Sequence, residues 1–412
     1  MNTFYITLRK GEIIGDGTKD NPFNGNTAEK FDSALNNIPE NSIINIGPGI
    51  FKTNGYIWGS KNWRPKEGWQ VKGIASKTVI QLTNNTGENK PTRWVIGGDY
   101  NVYSHNSRWE NLILDCNLNG QTTYPDVCNM GIVLAGNNIY LKNIKVINWG
   151  SRSPGFECFP IYVGGCNFVN KVNFSGCIVD SCIVNKPVIT NIKDGTTLIT
   201  CGGAYYNSDG TYNCHENPII KNCKSDALGY PSYSHGFSSY GINCLISGNT
   251  STNCEVGCYD DTYKTDGLKI TRNIFENVQY GVYFNFHTNS RGSVDNGIFD
   301  KNAIKLSPKK HNPADNYYGF KLLGQQTTPP PYTFNTIECQ NNQISFVAVP
   351  TGNYLAYSFY FYNAKDIKIV NNISNIYKDS NPNFNKQVIT GKVENLFFDN
   401  NKSKTSTEII IS

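Results

Sequence analysis

A short unit recurs along most of this chain: an apolar or β-branched pair, a small or basic residue, then Asn or Cys, then apolar residues again. It reads Leu245-Ile246-Ser247-Gly248-Asn249, then Leu268-Lys269-Ile270-Thr271-Arg272-Asn273-Ile274. It returns at Ile298–Ile304, Ile367–Ile373 and Leu396–Asn401. From the anchor Cys177 the next anchors are Cys223, Asn249, Asn273, Asn302, Asn342, Asn372 and Asn401, at gaps of 46, 26, 24, 29, 40, 30 and 29 residues. A repeat of roughly 20 to 50 residues marks a solenoid.

Within the unit, apolar and polar residues alternate over only five to seven positions, which is a strand period. Gly, Asn, Asp and Pro punctuate the gaps and suit turns. One coil of about 24 residues then holds two or three strands, and each strand pairs with its copy one coil away at roughly 4.8 Å. The expected architecture is an all-β parallel β-helix. Asn at the anchor fits twice over: it tolerates the left-handed backbone of a tight turn, and its amide can bond the next rung. A propeller, the main rival, needs four strands per blade at more even spacing. A second strand precedes each anchor and supplies a second register, at Gly131–Leu134, Pro160–Gly164, Tyr233–Ser238, Gly257–Thr262, Gly281–His287 and Tyr357–Tyr362.

At 412 residues the chain is long enough for two or three ordinary domains, but a solenoid grows by adding coils. The expected division is a cap and first strand over 1–50, then a β-helix with inserted loops and a closing strand over 51–412. The net charge of +5 is mild and no basic run stands out, so nucleic acid is not an expected partner. Several of the thirteen cysteines fall at ladder positions: Cys116, Cys177, Cys223 and Cys339 at or beside an anchor, Cys258 at an inward strand position. Buried free thiols are the simplest reading, with a Cys254–Cys258 disulfide as the alternative. No CxxC pair or calcium-type acid cluster is present, so neither metal nor cofactor is expected. Nothing is long and apolar enough for a membrane span or a leader, which suits a virion protein made without one, or a chain whose leader is absent.

The open sheet edge at the start of a β-helix needs covering. Asn26-Thr27 can cap a short helix with Phe31, Ala34 and Leu35 on its apolar face and Pro39 closing it. Ser42–Gly49 reads as the first strand and turn. At the other end, Glu408–Ser412 reads as a last strand or an oligomer contact.

The runs Gly15-Asp16-Gly17-Thr18-Lys19-Asp20-Asn21-Pro22-Phe23, Lys30–Leu35 and Ile46-Gly47-Pro48-Gly49-Ile50-Phe51 resemble the N-terminal portion of pectate-lyase-like β-helix proteins. That superfamily includes pectin-degrading enzymes, secreted bacterial proteins and phage tailspikes. The resemblance implies a single-stranded right-handed parallel β-helix that binds or cuts polysaccharide, outside the cell or on a virion. For the viral fibres it implies a homotrimer. Fold does not fix activity. Polygalacturonase-type members carry Asn-Thr-Asp, Asp-Asp, Gly-His-Gly and Arg-Ile-Lys in that order. Here His235-Gly236 precedes Asp260-Asp261, the first and last motifs are missing, and so is the arginine signature of calcium-dependent pectate lyases.

The most acid-rich coil runs Glu255-Val256-Gly257-Cys258-Tyr259-Asp260-Asp261-Thr262-Tyr263-Lys264-Thr265-Asp266. A 24-residue ruler places His235, Tyr259 and Tyr283 in one column, Phe237, Asp261 and Asn285 in the next, and Ser239, Tyr263 and His287 in a third. Alternation sets these columns on one outward face. Glycoside cleavage needs two carboxyl groups; lyase chemistry needs a base beside a group that neutralises the uronate. Asp261 is the leading acid and Asp260 its neighbour, although alternation points Asp260 inward. Glu255 and Asp266 lie at the turns and can join, and His235 and His287 complete the catalytic candidates. Tyr259, Tyr263, Tyr283, Asn285 and Phe237 are the substrate-binding candidates. Against this stands turn chemistry: Asp-Asp-Thr at a strand end commonly bonds its own backbone. Glu157 and Asp126 are weaker candidates. Trp58, Trp63, Trp69, Trp94, Trp109 and Trp149 either form platforms or seal the first coils. The leading expectation is a polysaccharide hydrolase or lyase of tailspike or secreted type. A glycan-binding adhesin or structural fibre is the alternative, and an epimerase a third.

Overall fold

The computed structural model describes all residues except 58–62, 86–91, 98–102, 124–126, 153–156, 166–172, 189–194, 207–211, 231–232, 261–263, 287–292, 308–311, 314, 325–332, 349–354, 376–384, 404–408 and 412. For 204–206, 212, 264, 385–392, 403 and 409–411 only the backbone is described.

Three strands per coil build three long parallel sheets. The first carries Thr196–Gly202, Ser234–Tyr240, Val256–Asp260, Tyr280–Phe286 and Tyr317–Gly324, each hydrogen-bonded to the next. The second stacks Ile219–Lys221, Leu245–Ser247, Lys269–Thr271 and Ser293–Asp300. The third stacks Lys224–Asp226, Thr250–Thr252, Ile274–Val278 and Ala303–Leu306. Their inward residues form columns. Ile246, Ile270, Phe299, Cys339 and Ile369 line one, and Phe237, Cys258, Val282, Phe320 and Phe359 another, all buried. In-register parallel pairing brings like residues into contact, and the rings of Phe320 and Phe359 stack at 5.3 Å with 7° between planes.

The anchor asparagines form one continuous buried ladder. Asn302 is typical: Nδ2 donates to Ile270 O at 2.8 Å and to Asn342 Oδ1 at 2.9 Å, while Oδ1 accepts from Asn273 N at 3.1 Å and Asn273 Nδ2 at 3.0 Å. The pattern repeats from Asn249 to Asn401. The left-handed residue is not the anchor, as the sequence reading expected, but the one before it: Arg272, Lys301, Asn341, Asn371 and Asn400 all have positive φ. The anchor amide is thereby turned into the coil, where the ladder satisfies it.

The helix Ala28–Asn37 lies where expected. Thr27 caps it by accepting from Lys30 N, and Phe31, Ala34 and Leu35 are buried. The first rung begins earlier than expected, because Asn2–Thr7 already pairs in parallel register with Ser42–Ile46. At the other end Ile409–Ile411 pairs with 388–390 as a further strand. The twelve described cysteines are all free and buried, including Cys254 and Cys258, so the disulfide alternative falls; Cys166 lies outside the described residues. Trp63, Trp69, Trp94, Trp109 and Trp149 are buried, and three of them hydrogen-bond through Nε1 to Thr53 Oγ1, Pro39 O and Asn185 O. They seal coils and offer no platform; Trp58 lies outside the described residues.

Candidate functional site

The outer side of the first sheet carries an aromatic patch, built by a bend that repeats from rung to rung. Gly257, Gly281 and Gly319 sit at the bend with no room for a side chain. A Cβ would lie 2.4 Å from the Phe275 ring, 2.5 Å from Ile304 Cδ1 and 2.8 Å from Ile344 Cδ1, respectively. On the next rung Ser358 faces Ser374, Oγ to Oγ at 2.6 Å. The residue after each glycine (Cys258, Val282, Phe320) also packs in the core. The glycine and the residue after it are both buried on each of these rungs, so residues three apart fall on the same outer face. One outer column is His235, Val256, Tyr280, Tyr318 and Tyr357; the other is Tyr259, Tyr283, Lys321 and Tyr360. Val256, Tyr280, Tyr318 and Tyr357 form a buried cluster separate from the main core, flanked by the partly exposed Tyr259, Tyr283 and Tyr360.

Ring contacts tie the patch together. Tyr280 stacks on Tyr283 at 4.8 Å and on Tyr318 at 5.6 Å, and Tyr318 stacks on Tyr357 at 5.0 Å. Lys321 is buried among them, its Nζ 4.6 Å from the centroids of both Tyr283 and Tyr318 and 5.3 Å from Tyr280. Such cation–π contacts strengthen when desolvated.

Asp315 comes over this patch from the segment between Ala303–Leu306 of the third sheet and Tyr317–Gly324 of the first. Its carboxylate accepts from the Tyr280 hydroxyl at 2.8 Å, the Tyr318 hydroxyl at 3.1 Å, Asn316 N at 2.7 Å and Lys321 Nζ. Burial alone would raise its pKa, but the Lys321 hydrogen bond and charge, Asn316 N–H and the Tyr280 hydroxyl together hold it below the usual range. Glu255, one residue before Val256, is 5% exposed. Burial, then the charge of Asp315, push its carboxyl up to about 7 against the opposing pull of Lys321. The site therefore holds two carboxyl groups whose surroundings drive their protonation apart, a pattern that separates acid from anion.

His235 lies beside this pair. Its ring stacks on Tyr259 with centroids 3.8 Å apart, and Nδ1 is 3.2 Å from Thr197 Oγ1. Burial holds the imidazole down to about 3, so it is neutral at physiological pH.

The sequence-derived candidates divide sharply. Tyr259 and Tyr283 are register partners on the outer face, as the 24-residue ruler placed them. His235 is not in that column: it pairs with Val256, and reaches the Tyr259 ring from there. Phe237 is a correction, being fully buried in the core column with Cys258 and Val282 instead of facing outward. The ruler slipped because successive coils differ in their turns: Ser225 to Phe237 spans 12 residues, whereas Ser251 to Cys258 spans 7. Asp260 points inward opposite Phe284, is 2% exposed, and accepts from Thr265 Oγ1 at 3.2 Å. Asn285 lies partly exposed opposite Leu323. Glu157 is exposed, away from the patch on another coil. Asp261, Tyr263, His287 and Asp126 lie outside the described residues. Asp315, Lys321, Tyr280 and Tyr318 were missed. The signal that could have found Asp315 is the oversized 40-residue gap between Asn302 and Asn342, which brings an acid just ahead of Tyr317-Tyr318. Among the described residues no cluster of His, Cys, Asp and Glu is arranged to hold a metal ion, and no helix is long and apolar enough to cross a membrane.

No family profile matches the sequence, and no curated protein resembles it in sequence. Solved structures do resemble it in fold. A GH136 lacto-N-biosidase from Eubacterium ramulus matches with a TM-score of 0.51 at 12% identity, over 100% of this chain and 68% of its own. A family 28 exopolygalacturonase from Yersinia enterocolitica matches with a TM-score of 0.52 at 10% identity, over 100% and 77%. A mutant tailspike protein of E. coli bacteriophage HK620, solved in complex with a hexasaccharide, matches with a TM-score of 0.59 at 10% identity, over 88% and 61%. At such low identity the likeness establishes architecture alone: the chain is a right-handed parallel β-helix, as those structures are.

Proposed function

We propose that this is a carbohydrate-directed β-helix protein that cleaves a glycan on the outer face of its first sheet, with Glu255 as proton donor. The observation that carries this reading is the pairing of Glu255, held protonated to about 7, with an ionised Asp315 on a wall of tyrosines. A buried carboxylic acid that keeps its proton near neutral pH can protonate a glycosidic oxygen as the bond breaks. A fixed anion beside it stabilises the positive charge that builds at the anomeric carbon. The partly exposed rings of Tyr259, Tyr283 and Tyr360 would stack on sugar faces. Asp315 already accepts four hydrogen bonds, so the carboxylate that attacks or activates water is assigned to Asp261 on sequence grounds. The GH136, family 28 and tailspike neighbours, whose names or bound ligand concern sugars, support the substrate class. With that substrate the protein would work outside the cell or on a virion.

Glycan binding without turnover is the second reading. The saturation of Asp315 by its four donors favours it, since such a carboxylate is built to hold a surface together. The test is turnover of a panel of neutral and acidic polysaccharides by wild type, Glu255→Gln and Asp261→Asn. Loss of at least 100-fold in kcat for Glu255→Gln, with glycan still bound, supports cleavage. Wild-type activity should fall as pH rises past about 7, where Glu255 gives up its proton. Binding by wild type without any cleavage would establish the second reading, and unchanged turnover by Glu255→Gln would remove Glu255 from the mechanism.

A further inference from the structure

We infer that Gln279 is a positioning residue that sets Asp315 against Glu255, an inference that rests on the role proposed above for those two carboxyl groups. Gln279 is fully buried, on the rung after Glu255 and immediately before Tyr280. Its side-chain amide grips the backbone of the segment that carries Asp315. Nε2 donates to Asn312 O at 2.9 Å, Asn316 O at 3.0 Å and Asp315 O at 3.3 Å, and Oε1 accepts from Asn312 N at 2.6 Å. Its own backbone joins the other members of the site. Gln279 N donates to Glu255 O at 3.0 Å, as does Tyr280 N, and Gln279 O accepts from Tyr318 N at 3.1 Å.

One residue thus touches Glu255, the strand of Tyr318 and the segment of Asp315, yet it sits buried at the corner between Ile274–Val278 and Tyr280–Phe286. A segment returning across a β-helix has no ladder of its own, and its backbone groups need partners once buried. Here a side chain supplies four of them. The geometry selects Gln over its near relatives. Glu would present acceptors to three carbonyl oxygens, Asn is one methylene too short, and Leu or Met offers neither donor nor acceptor. The same position in the next coil is Tyr317.

The charged and titratable groups that act on Glu255 are Asp315 and Lys321, with the Tyr280 hydroxyl joined to Asp315. If Gln279 only anchors a loop, its loss lowers stability and leaves Glu255 titrating as before. If it positions Asp315, its loss also moves the Glu255 titration. The experiment follows Glu255 by 13C NMR in full-length protein labelled at glutamate side chains, assigned through Glu255→Gln. It compares wild type, Asp315→Asn, Gln279→Met and the double variant; Met keeps the length and apolar bulk while removing all four hydrogen bonds. The expected result is a fall of about one unit in the Glu255 pKa for Asp315→Asn, a comparable fall for Gln279→Met, and no further fall in the double variant. Gln279→Glu should recover part of the effect at acid pH, where the protonated side chain regains one donor. A normal Asp315→Asn shift with an unmoved Gln279→Met titration overturns this inference alone. An ordinary carboxylate titration for Glu255 in wild type, or no response to Asp315→Asn, overturns the pairing on which the proposed function itself stands.

Discussion

The Tyr280 hydroxyl donates to Asp315 Oδ2 at 2.8 Å while its ring lies 5.6 Å from that of Tyr318 with only 5° between planes. A single side chain thus joins the aromatic patch to the anion above it. Tyr280→Phe keeps the stack and removes one of four donors to a partly buried carboxylate. A hydrogen bond to a charged group contributes about 1.5–3 kcal/mol. Denaturant unfolding of Tyr280→Phe should show a loss in that range, with near-UV circular dichroism retained. No loss would mean that water or another donor replaces the hydroxyl.

The buried asparagine ladder predicts a position-dependent cost. Asn302 is at its centre, and its amide engages four other polar groups. Asn302→Ala leaves several buried groups unpaired at about 1–3 kcal/mol each. Asn401 closes the ladder and is partly exposed, so water replaces what Asn401→Ala removes. The urea midpoint should fall at least twice as far for Asn302→Ala as for Asn401→Ala. Equal shifts would show that the ladder does not act as a buried network.

The ladder was legible in the sequence because Asn302 and its copies recur at one position of successive coils from Asn249 to Asn401, where each amide finds its partners on the next rung. The patch was only half legible. Tyr259 and Tyr283 lie in consecutive coils separated by one full period, and the ruler placed them correctly. It failed at Phe237, where the preceding turn is five residues longer than in the next coil, because turn length is set outside the ladder and leaves no trace in the anchor spacing. Asp315 was illegible for a related reason. It belongs to no rung, and the Gln279 amide, the Tyr280 and Tyr318 hydroxyls and the Lys321 ammonium bring it over the face. Hydrophobic periodicity carries the columns, while polar contacts between an insert and a rung have no period to reveal them.

Cysteine burial yields a counting experiment. All twelve described cysteines are buried and form no disulfide, and burial pushes Cys177 up to about 12 and holds Cys201 and Cys258 well above the ordinary thiol range. The thiolate is the reactive form. None of the twelve described thiols should therefore label in native protein with an aromatic disulfide reagent. In denaturant without reductant, all thirteen should react. A native count of three or more, or a denatured count of eleven, would contradict the buried free-thiol column.

His215 predicts acid sensitivity with a defined sign. The ring is fully buried; Nε2 accepts from Cys177 N at 3.3 Å, so Nδ1 carries the proton and donates to Gly165 O at 3.3 Å. Protonating Nε2 would oppose two N–H groups, and burial pushes the imidazole down to about 4 from 6.5. Between those values the unfolded chain holds more protons at this residue than the folded one. Its stability contribution is therefore complete above pH 6.5 and is lost as pH falls toward 4. A shift of that size corresponds to about 3 kcal/mol. Glu255 and Asp32, raised to about 7 and about 6, work in the opposite sense, since the folded state keeps their protons longer as pH rises. The comparison must therefore be made against His215→Gln, which can still donate to Gly165 O and accept from Cys177 N while leaving the other groups in place. Unfolding free energies measured from pH 7 to pH 4 should show wild type losing about 3 kcal/mol relative to the variant. Parallel curves would mean that the folded protein takes up the proton at His215 as readily as the unfolded chain.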